Sequence, residues 1–358
     1  MTRHLVVDVS GHGFGHLAQT APVLNRLAQR LPGLRLTVRT ALPEAVVARR
    51  LRTPFRYQAA ALDFGMVMAD AVTVDVPASL AAYRRFHARW PERTAREAAI
   101  LRGLAPDLLL ANAPYLSLAA AFEAGVPGVA MCSLNWAEIL GGYCPDDGEA
   151  AQLCQTMRTA YNQAEVFFQL TPFLPMSGLA AARPTGPVGE TAASVRPALQ
   201  AHLGLPATAR LALLSMGGVA HRLPVEAWPT DARWHYIVPA EWGVRGPHFI
   251  DLEALPWDFR QVLASSDALI TKPGYGAFVE SALCGTPVLY HERPDWPEQP
   301  WLVAWLAAHG RVRAAPASAF ARGDLPARLD ALVAQPAPPP PTASGIDEVV
   351  SALLARLG

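Results

Sequence analysis

The feature that most narrows what this chain can fold into is a recurring unit: a short leucine- or valine-rich run, a glycine-containing turn, then an alanine-rich stretch with helical spacing. Apolar runs this short, bounded by turn residues, read as buried strands of a parallel sheet, and the helical stretches between them read as crossovers. In the first half the candidate strands are Leu5 to Val9, Leu34 to Arg39, Leu108 to Ala111 and Gly128 to Cys132, with helices over Leu17 to Arg30 and Leu116 to Ala124. The second half repeats the plan with strands at Leu211 to Ser215, His235 to Val238, Ala268 to Ile270 and Val288 to Tyr290, and a helix over Ala277 to Leu283. At roughly 100–200 residues per domain, 358 residues predict two such α/β units.

Proline and glycine concentrate and periodicity fails near residues 172–200, which places the boundary there. The expected units are 1–185, 186–342 and a final segment 343–358, in which an amphipathic helix, Ile346 to Leu357, follows the stiff linker QPAPPPP of residues 335–341. The chain is 51% hydrophobic and 17% charged, which excludes disorder as its main state. Thirty basic and thirty acidic residues cancel, so no global field would hold a polyanion, and nucleic acid is not expected as a principal partner. Lys272 is the single lysine. The opening apolar run of five residues, Leu5 to Val9, is broken by Asp8 and too short for a signal-peptide core, and no uninterrupted run of about 20 apolar residues occurs. Together with four irregularly spaced cysteines, Cys132, Cys144, Cys154 and Cys284, this predicts a cytoplasmic protein with reduced thiols.

Open α/β sheets bind ligands at the carboxyl ends of their strands, so the loops after strands carry the chemistry. The first, SGHGFGH (residues 10–16), sets His12 and His16 among Gly11, Gly13 and Gly15, glycines that permit positive φ and close approach of a ligand. It fails as a dinucleotide fingerprint, because His16 stands where the third glycine belongs and the second strand ends in Arg39. A histidine at a helix N-terminus is held neutral by the dipole and can accept a proton, which makes His16 a candidate general base. Hydrogen bonding within a tight turn is the alternative for both histidines. The second loop follows Ser215, where Gly217 and Gly218 present bare amides suited to a phosphate oxygen or merely to a tight connection. Arg222 and His221 lie just beyond.

The third loop contains Lys272, Gly274, Tyr275 and Gly276 and opens a helix whose N-terminus favours a diphosphate. Glu280, ~6 Å further along that helix, is spaced to meet a ribose diol, or else to sit in solvent. After the next strand, HERPDWPEQPWL brings Arg293, Glu298 and Gln299 together with Trp296, a set that can hold sugar hydroxyls and an apolar sugar face.

These residues carry a resemblance covering nearly the whole chain. SGHGFGH, SLNWAEI (133–139) and SDALITKPGYGAFVESALCGTPVLY with the Glu298–Gln299 loop resemble the GT-B glycosyltransferase superfamily, closest to the group containing stand-alone bacterial proteins and the N-terminal part of plant L-arabinokinases. The resemblance implies two Rossmann-like domains with mainly parallel sheets facing across a cleft. It implies a nucleotide-diphosphate sugar, UDP-linked, as donor substrate, no separate cofactor, and a transfer that inverts the anomeric centre without a metal. His16 would be the base, with His12 and Asn112 beside it. Gly13, Gly15, Gly217, Gly218, Lys272, Gly274, Tyr275, Gly276, Glu280, Arg293, Glu298 and Gln299 would form the donor site. In related enzymes an aspartate orients the base where this chain has Asn112, and an amide orients an imidazole without stabilising its cation. A sugar-nucleotide epimerase or hydrolase, and a catalytically silent binding protein, are the alternative functions on the same scaffold.

No Asp-x-Asp pattern points to a metal, and the adjacent Asp146 and Asp147 read as a surface turn. Trp136 and Tyr143 are candidate acceptor platforms. Residues 83–102 hold six arginines interleaved with aromatics, and Tyr83, Arg84, Arg85, Phe86, Arg89 and Trp90 form a candidate surface for peripheral membrane contact, with a solvated helix face as the alternative.

Overall fold

The computed structural model describes residues 3–218, 221–229 and 231–358. Its strands build two separate sheets, parallel throughout. The first has the order β3-β2-β1-β4-β5-β6-β7, from β1 (His4–Val9), β2 (Arg35–Thr40), β3 (Arg56–Ala59), β4 (Leu108–Asn112), β5 (Gly128–Cys132), β6 (Phe167–Leu170) and β7 (Ala182–Thr185). The second has the order β10-β9-β8-β11-β12-β13, from β8 (Arg210–Ser215), β9 (Trp234–Val238), β10 (Phe249–Asp251), β11 (Ala268–Thr271), β12 (Val288–His291) and β13 (Val312–Ala315).

The central strands are buried along their whole length, which is why they read as continuous apolar runs. The strands missing from the apolar pattern are β6 and the four sheet edges β3, β7, β10 and β13. Edge strands bury less, so RYQA in β3 and ARPT in β7 carry no apolar run, and Pro184 is tolerated at an edge where a central strand would lose a ladder bond. Arg39 on β2 is buried and paired twice, its Nε and Nη2 donating to both oxygens of Asp8 at 2.7 Å and its Nη1 to Glu97 at 3.1 Å.

In each sheet the strand order reverses beside the first strand of that half, between β1 and β4 and between β8 and β11. These reversals are where the crossover helices turn away to opposite faces and leave a crevice. Four loops therefore meet the space between the sheets: residues 10–15 after β1, the end of β4 at Asn112, residues 216–218 after β8, and residues 272–274 after β11.

The helix Gly15–Arg30 is the common support. On one flank it packs against the helix Tyr275–Cys284, where an added Cβ on Gly276 would lie 2.9 Å from the Ala18 Cβ, so only glycine allows this approach. Its other neighbour is the last helix, Gly345–Leu357, with Arg26 Nε donating to Asp347 at 2.9 Å. Arg356 of that last helix bonds Glu165 at 3.0 Å, so the end of the chain rests on the first sheet's side. One apolar cluster runs continuously from β1 and β2 through Val188 to β8, β11 and Val349.

Candidate active site between the two sheets

Three of the switch-point loops, those after β1, β8 and β11, together with Ser133 and Leu134 after β5, line a cavity of about 740 Å³, within the range of small-molecule sites. Its first wall carries His12, Gly13, Gly15 and His16 together with Ser133 and Trp136; its second carries Gly217, Gly218, Lys272, Gly274, Glu280, Arg293, Trp296 and Glu298.

His16 is the second residue of the Gly15–Arg30 helix and is 5% exposed. Register pairs Val9 with Asn112, which brings the Asn112 amide beside the imidazole, Oδ1 to Nδ1 at 2.9 Å. The other end of that amide faces three oxygen acceptors, Thr20 Oγ1 at 3.0 Å, Gln19 Oε1 at 3.1 Å and the His16 carbonyl at 3.3 Å. The two N–H bonds of the NH2 group serve this cluster of acceptors, which an amide oxygen could not, so Oδ1 points at His16, Nδ1 carries the proton, and Nε2 keeps its lone pair. The imidazole is lowered to about 4 by burial, with the Asn112 bond opposing the shift. His12 is lowered further, to about 3, first by burial and then by the nearby His16, Lys272 and Arg293. Its Nδ1 lies 3.2 Å from the Phe64 carbonyl and its backbone N–H donates to Ser10 Oγ at 3.2 Å.

The polar chain continues across the cleft. Gln19 Nε2 donates to Ser133 Oγ at 2.9 Å, and Ser133 donates to Glu298 Oε1 at 2.6 Å; Trp296 Nε1 reaches Glu298 Oε2 at 3.2 Å. A run of hydrogen bonds thus joins Asn112 in the first half to Glu298 in the second. Burial raises the Glu298 carboxyl, opposed by its Ser133 and Trp296 donors.

On the second wall Thr271 Oγ1 donates to the Ser215 carbonyl at 2.6 Å, tying the two switch-point loops together. Gly217 has φ +80°, a left-handed conformation that keeps its amide free of a Cβ, and a Cβ there would stand 3.7 Å from Lys272 Nζ. Burial and the neighbouring Arg293 lower the Lys272 ammonium to about 7. At the far end Glu280 is 1% exposed and bound by Arg50 from the first half, Nη1 to Oε1 at 2.5 Å. Trp257 and Phe259 line the same end.

No protein-family model matches the chain. The L-arabinokinase of Arabidopsis thaliana is 25% identical over 309 residues, 84% of this chain and 29% of that protein, so the chain spans under a third of the relative's length. Among solved structures, the glycotransferase of kitacinnamycin superposes with a TM-score of 0.62 at 18% identity, over 99% of this chain and 96% of that one. The chain has the GT-B fold. A crystal structure of UDP-N-acetylglucosamine 2-epimerase shares it, with a TM-score of 0.55 at 13% identity over 99% and 96% of the two chains.

Within this GT-B cleft most residues singled out from the sequence come together, and several take places the sequence did not suggest. Tyr275 lines the cavity, but its hydroxyl donates to the Thr171 carbonyl and accepts from the Val188 N–H, both at 2.9 Å, so it fastens the connection between the sheets. Gln299 does not line the cavity; its Oε1 accepts from the Arg293 N–H at 2.6 Å and sets the loop. Tyr143 also lies outside the lining, 3.3 Å from Asp295. Trp136 is fully buried, its indole N–H donating to Asp63 at 2.7 Å and its ring 5.2 Å from His12 and 5.6 Å from His16, so it is a wall behind the histidines rather than an open platform. Glu280 is ion-paired rather than solvated.

The 83–90 surface is corrected more strongly. Tyr83 and Phe86 are buried, Tyr83 donating to the Gly65 carbonyl at 2.7 Å, while Trp90 stacks on Tyr115. This stretch spans the end of the helix Val76–His87 and the start of the helix Trp90–Leu104; its aromatics pack inward, while Arg84, Arg85 and Arg89 face out, Arg84 and Arg89 pairing with Glu149 and Glu92. Arg222 is likewise occupied, by Glu226 and the Trp242 carbonyl. Asp147 caps the helix Gly148–Tyr161, which is the turn reading. Among the described residues no three His, Cys, Asp or Glu side chains are grouped to hold a metal, and no helix is long and apolar enough to cross a membrane. Sequence reading missed Arg50, Ser133, Gln19 and Trp257; the first meets its partner 230 positions away, a pairing no local pattern carries.

Proposed function

We propose that this chain is a glycosyltransferase that moves a sugar from a nucleoside-diphosphate donor, UDP-linked, to an acceptor hydroxyl, with inversion and without a metal. The observation that carries the reading is the pairing of a neutral, Asn112-oriented His16 on one wall with the glycine turns and Lys272 on the other. Trp257 and Phe259 offer a nucleobase an aromatic surface, Glu280 a ribose diol an acceptor, and Gly217, Gly274 and Lys272 the diphosphate its donors.

In the proposed reaction the acceptor hydroxyl oxygen bonds to the anomeric carbon as His16 Nε2 takes its proton. The bond from that carbon to the diphosphate oxygen breaks, and the leaving diphosphate keeps the electron pair, held by amides and the Lys272 ammonium. The developing imidazolium is stabilised by the donor's own negative charge, since Asn112 supplies none. The test is turnover with a panel of sugar nucleotides and acceptor alcohols, separating nucleotide release from sugar transfer. Transfer by the wild type that is lost in His16→Ala, with nucleotide still binding, supports the assignment; equal turnover in the variant refutes it.

A second reading, a sugar-nucleotide-binding protein without turnover, is favoured by one observation: a buried imidazole at about 4 beside an uncharged amide is a weak base. Tight donor binding with no product from any acceptor would select it.

A further inference from the structure

Arg293 is a buried charge for which the proposed transfer has no stated use. It is 3% exposed and lines the cavity, yet its Nη2 has no hydrogen-bond partner. Its Nε donates to the Val72 carbonyl of the first half at 3.0 Å, and its guanidinium lies over the Trp296 ring, 4.2 Å from the centroid. Among the described residues no carboxylate stands within ion-pair distance of it. Glu298 is occupied by Ser133 and Trp296, and Asp295 lies near the Tyr143 hydroxyl, so both act on Arg293 only at longer range; the Tyr143 hydroxyl is its neighbour on that side and carries no charge. An unpaired cation held this far from water is costly, and a ligand anion relieves it.

Its place in the cleft says which part of a ligand that anion belongs to. The glycine turns and Lys272 serve the diphosphate, and Glu280 lies at the ribose end. Arg293 sits instead with Trp296, whose ring faces His12 at 6.4 Å, on the side where the sugar and the acceptor meet. A single negative charge matches a single guanidinium; a second phosphate would also face Glu298 and Asp295. Resting on the nucleotide-sugar reading above, we propose that Arg293 forms a carboxylate subsite at the sugar end of the cavity, so that the transferred sugar or its acceptor is an acid.

Calorimetry on the full chain distinguishes the two sources. In the donor arm UDP, UDP-glucose and UDP-glucuronate are compared; in the acceptor arm free glucuronate and glucose are titrated into protein saturated with UDP. The expected result is a 10- to 100-fold preference for the acid in one arm, the range for a charge-assisted bond, falling to about one in Arg293→Gln and partly kept in Arg293→Lys. UDP binding with less than a twofold preference in both arms overturns the subsite alone. A wild-type preference that survives in Arg293→Gln overturns the assignment to Arg293. Failure of UDP itself to bind overturns the nucleotide reading and the subsite with it. Should Arg293→Gln not fold, Arg293→Lys carries the same test, and a preference undiminished in it overturns the assignment.

Discussion

The two walls of the cleft are built on opposite principles. On the first, nearly every polar atom near the histidines has a partner: Asn112 spends its amide on four atoms, Gln19 and Ser133 pass the chain on, and Asp63 is bonded by Ser10 and Trp136. On the second, among the described residues no carboxylate is ion-paired with Lys272 or Arg293, Glu298 acting on both only from longer range, and the glycines beside them carry no side chain. A satisfied network fixes geometry, whereas an unsatisfied cationic surface stores affinity for whatever anion arrives. The first wall orients a proton acceptor, and the second waits for charge.

Five experiments probe that division. The largest effect is expected for His16→Ala, a 10²- to 10⁴-fold loss of transfer rate with donor affinity retained, measured by steady-state kinetics beside calorimetry. Lys272→Met should weaken donor binding by about 10- to 100-fold while raising the unfolding midpoint in urea, because it removes a buried charge whose partner is the ligand. A loss of both affinity and stability would contradict the division. The same lysine sets a pH dependence. With its ammonium lowered to about 7, UDP-glucose affinity should hold below that pH and fall by up to about tenfold per unit above it, as the proton that the bound diphosphate needs is lost. Lys272→Arg should flatten the profile.

Asn112→Asp tests the first wall. A carboxylate against Nδ1 should raise the His16 titration by about one unit in NMR, roughly a tenfold change in proton affinity, while loss of the NH2 donors to Thr20 and Gln19 lowers stability. An unmoved titration would break the assignment of Nδ1 as the donor. The smallest effect is expected for Gly276→Ala, whose methyl group meets Ala18 and should cost about 1–2 kcal/mol in urea unfolding through overpacking where the walls touch.

The core of this division was legible before any coordinates. Central strands other than β6 announce themselves by apolar runs, and the loops after β1, β8 and β11 stand out because glycine and histidine or lysine crowd a place where a buried strand has just ended. Three kinds of information were not legible. Edge strands such as β3 and β7 bury too little to leave a pattern. Pairings across the cleft, such as Arg50 with Glu280 or Ser133 with Glu298, join residues whose separation carries no periodic signal. The inward side of a helix with arginines on both faces of its aromatics is ambiguous, and Tyr83 and Phe86 were therefore open to a surface reading that burial overrules.

The last helix gives the molecule a mechanical property. The chain leaves the first sheet once, through residues 186–195, and comes back once, through 335–344, to lay Gly345–Leu357 against the Gly15–Arg30 helix. Gly186 packs against Gly345 where the two crossings run side by side, with the Gly345 N–H donating to the Pro187 carbonyl at 3.1 Å. The last helix thus belongs to the first lobe by contact and to the second by chain order, so the second lobe is fastened to its neighbour at both of its ends.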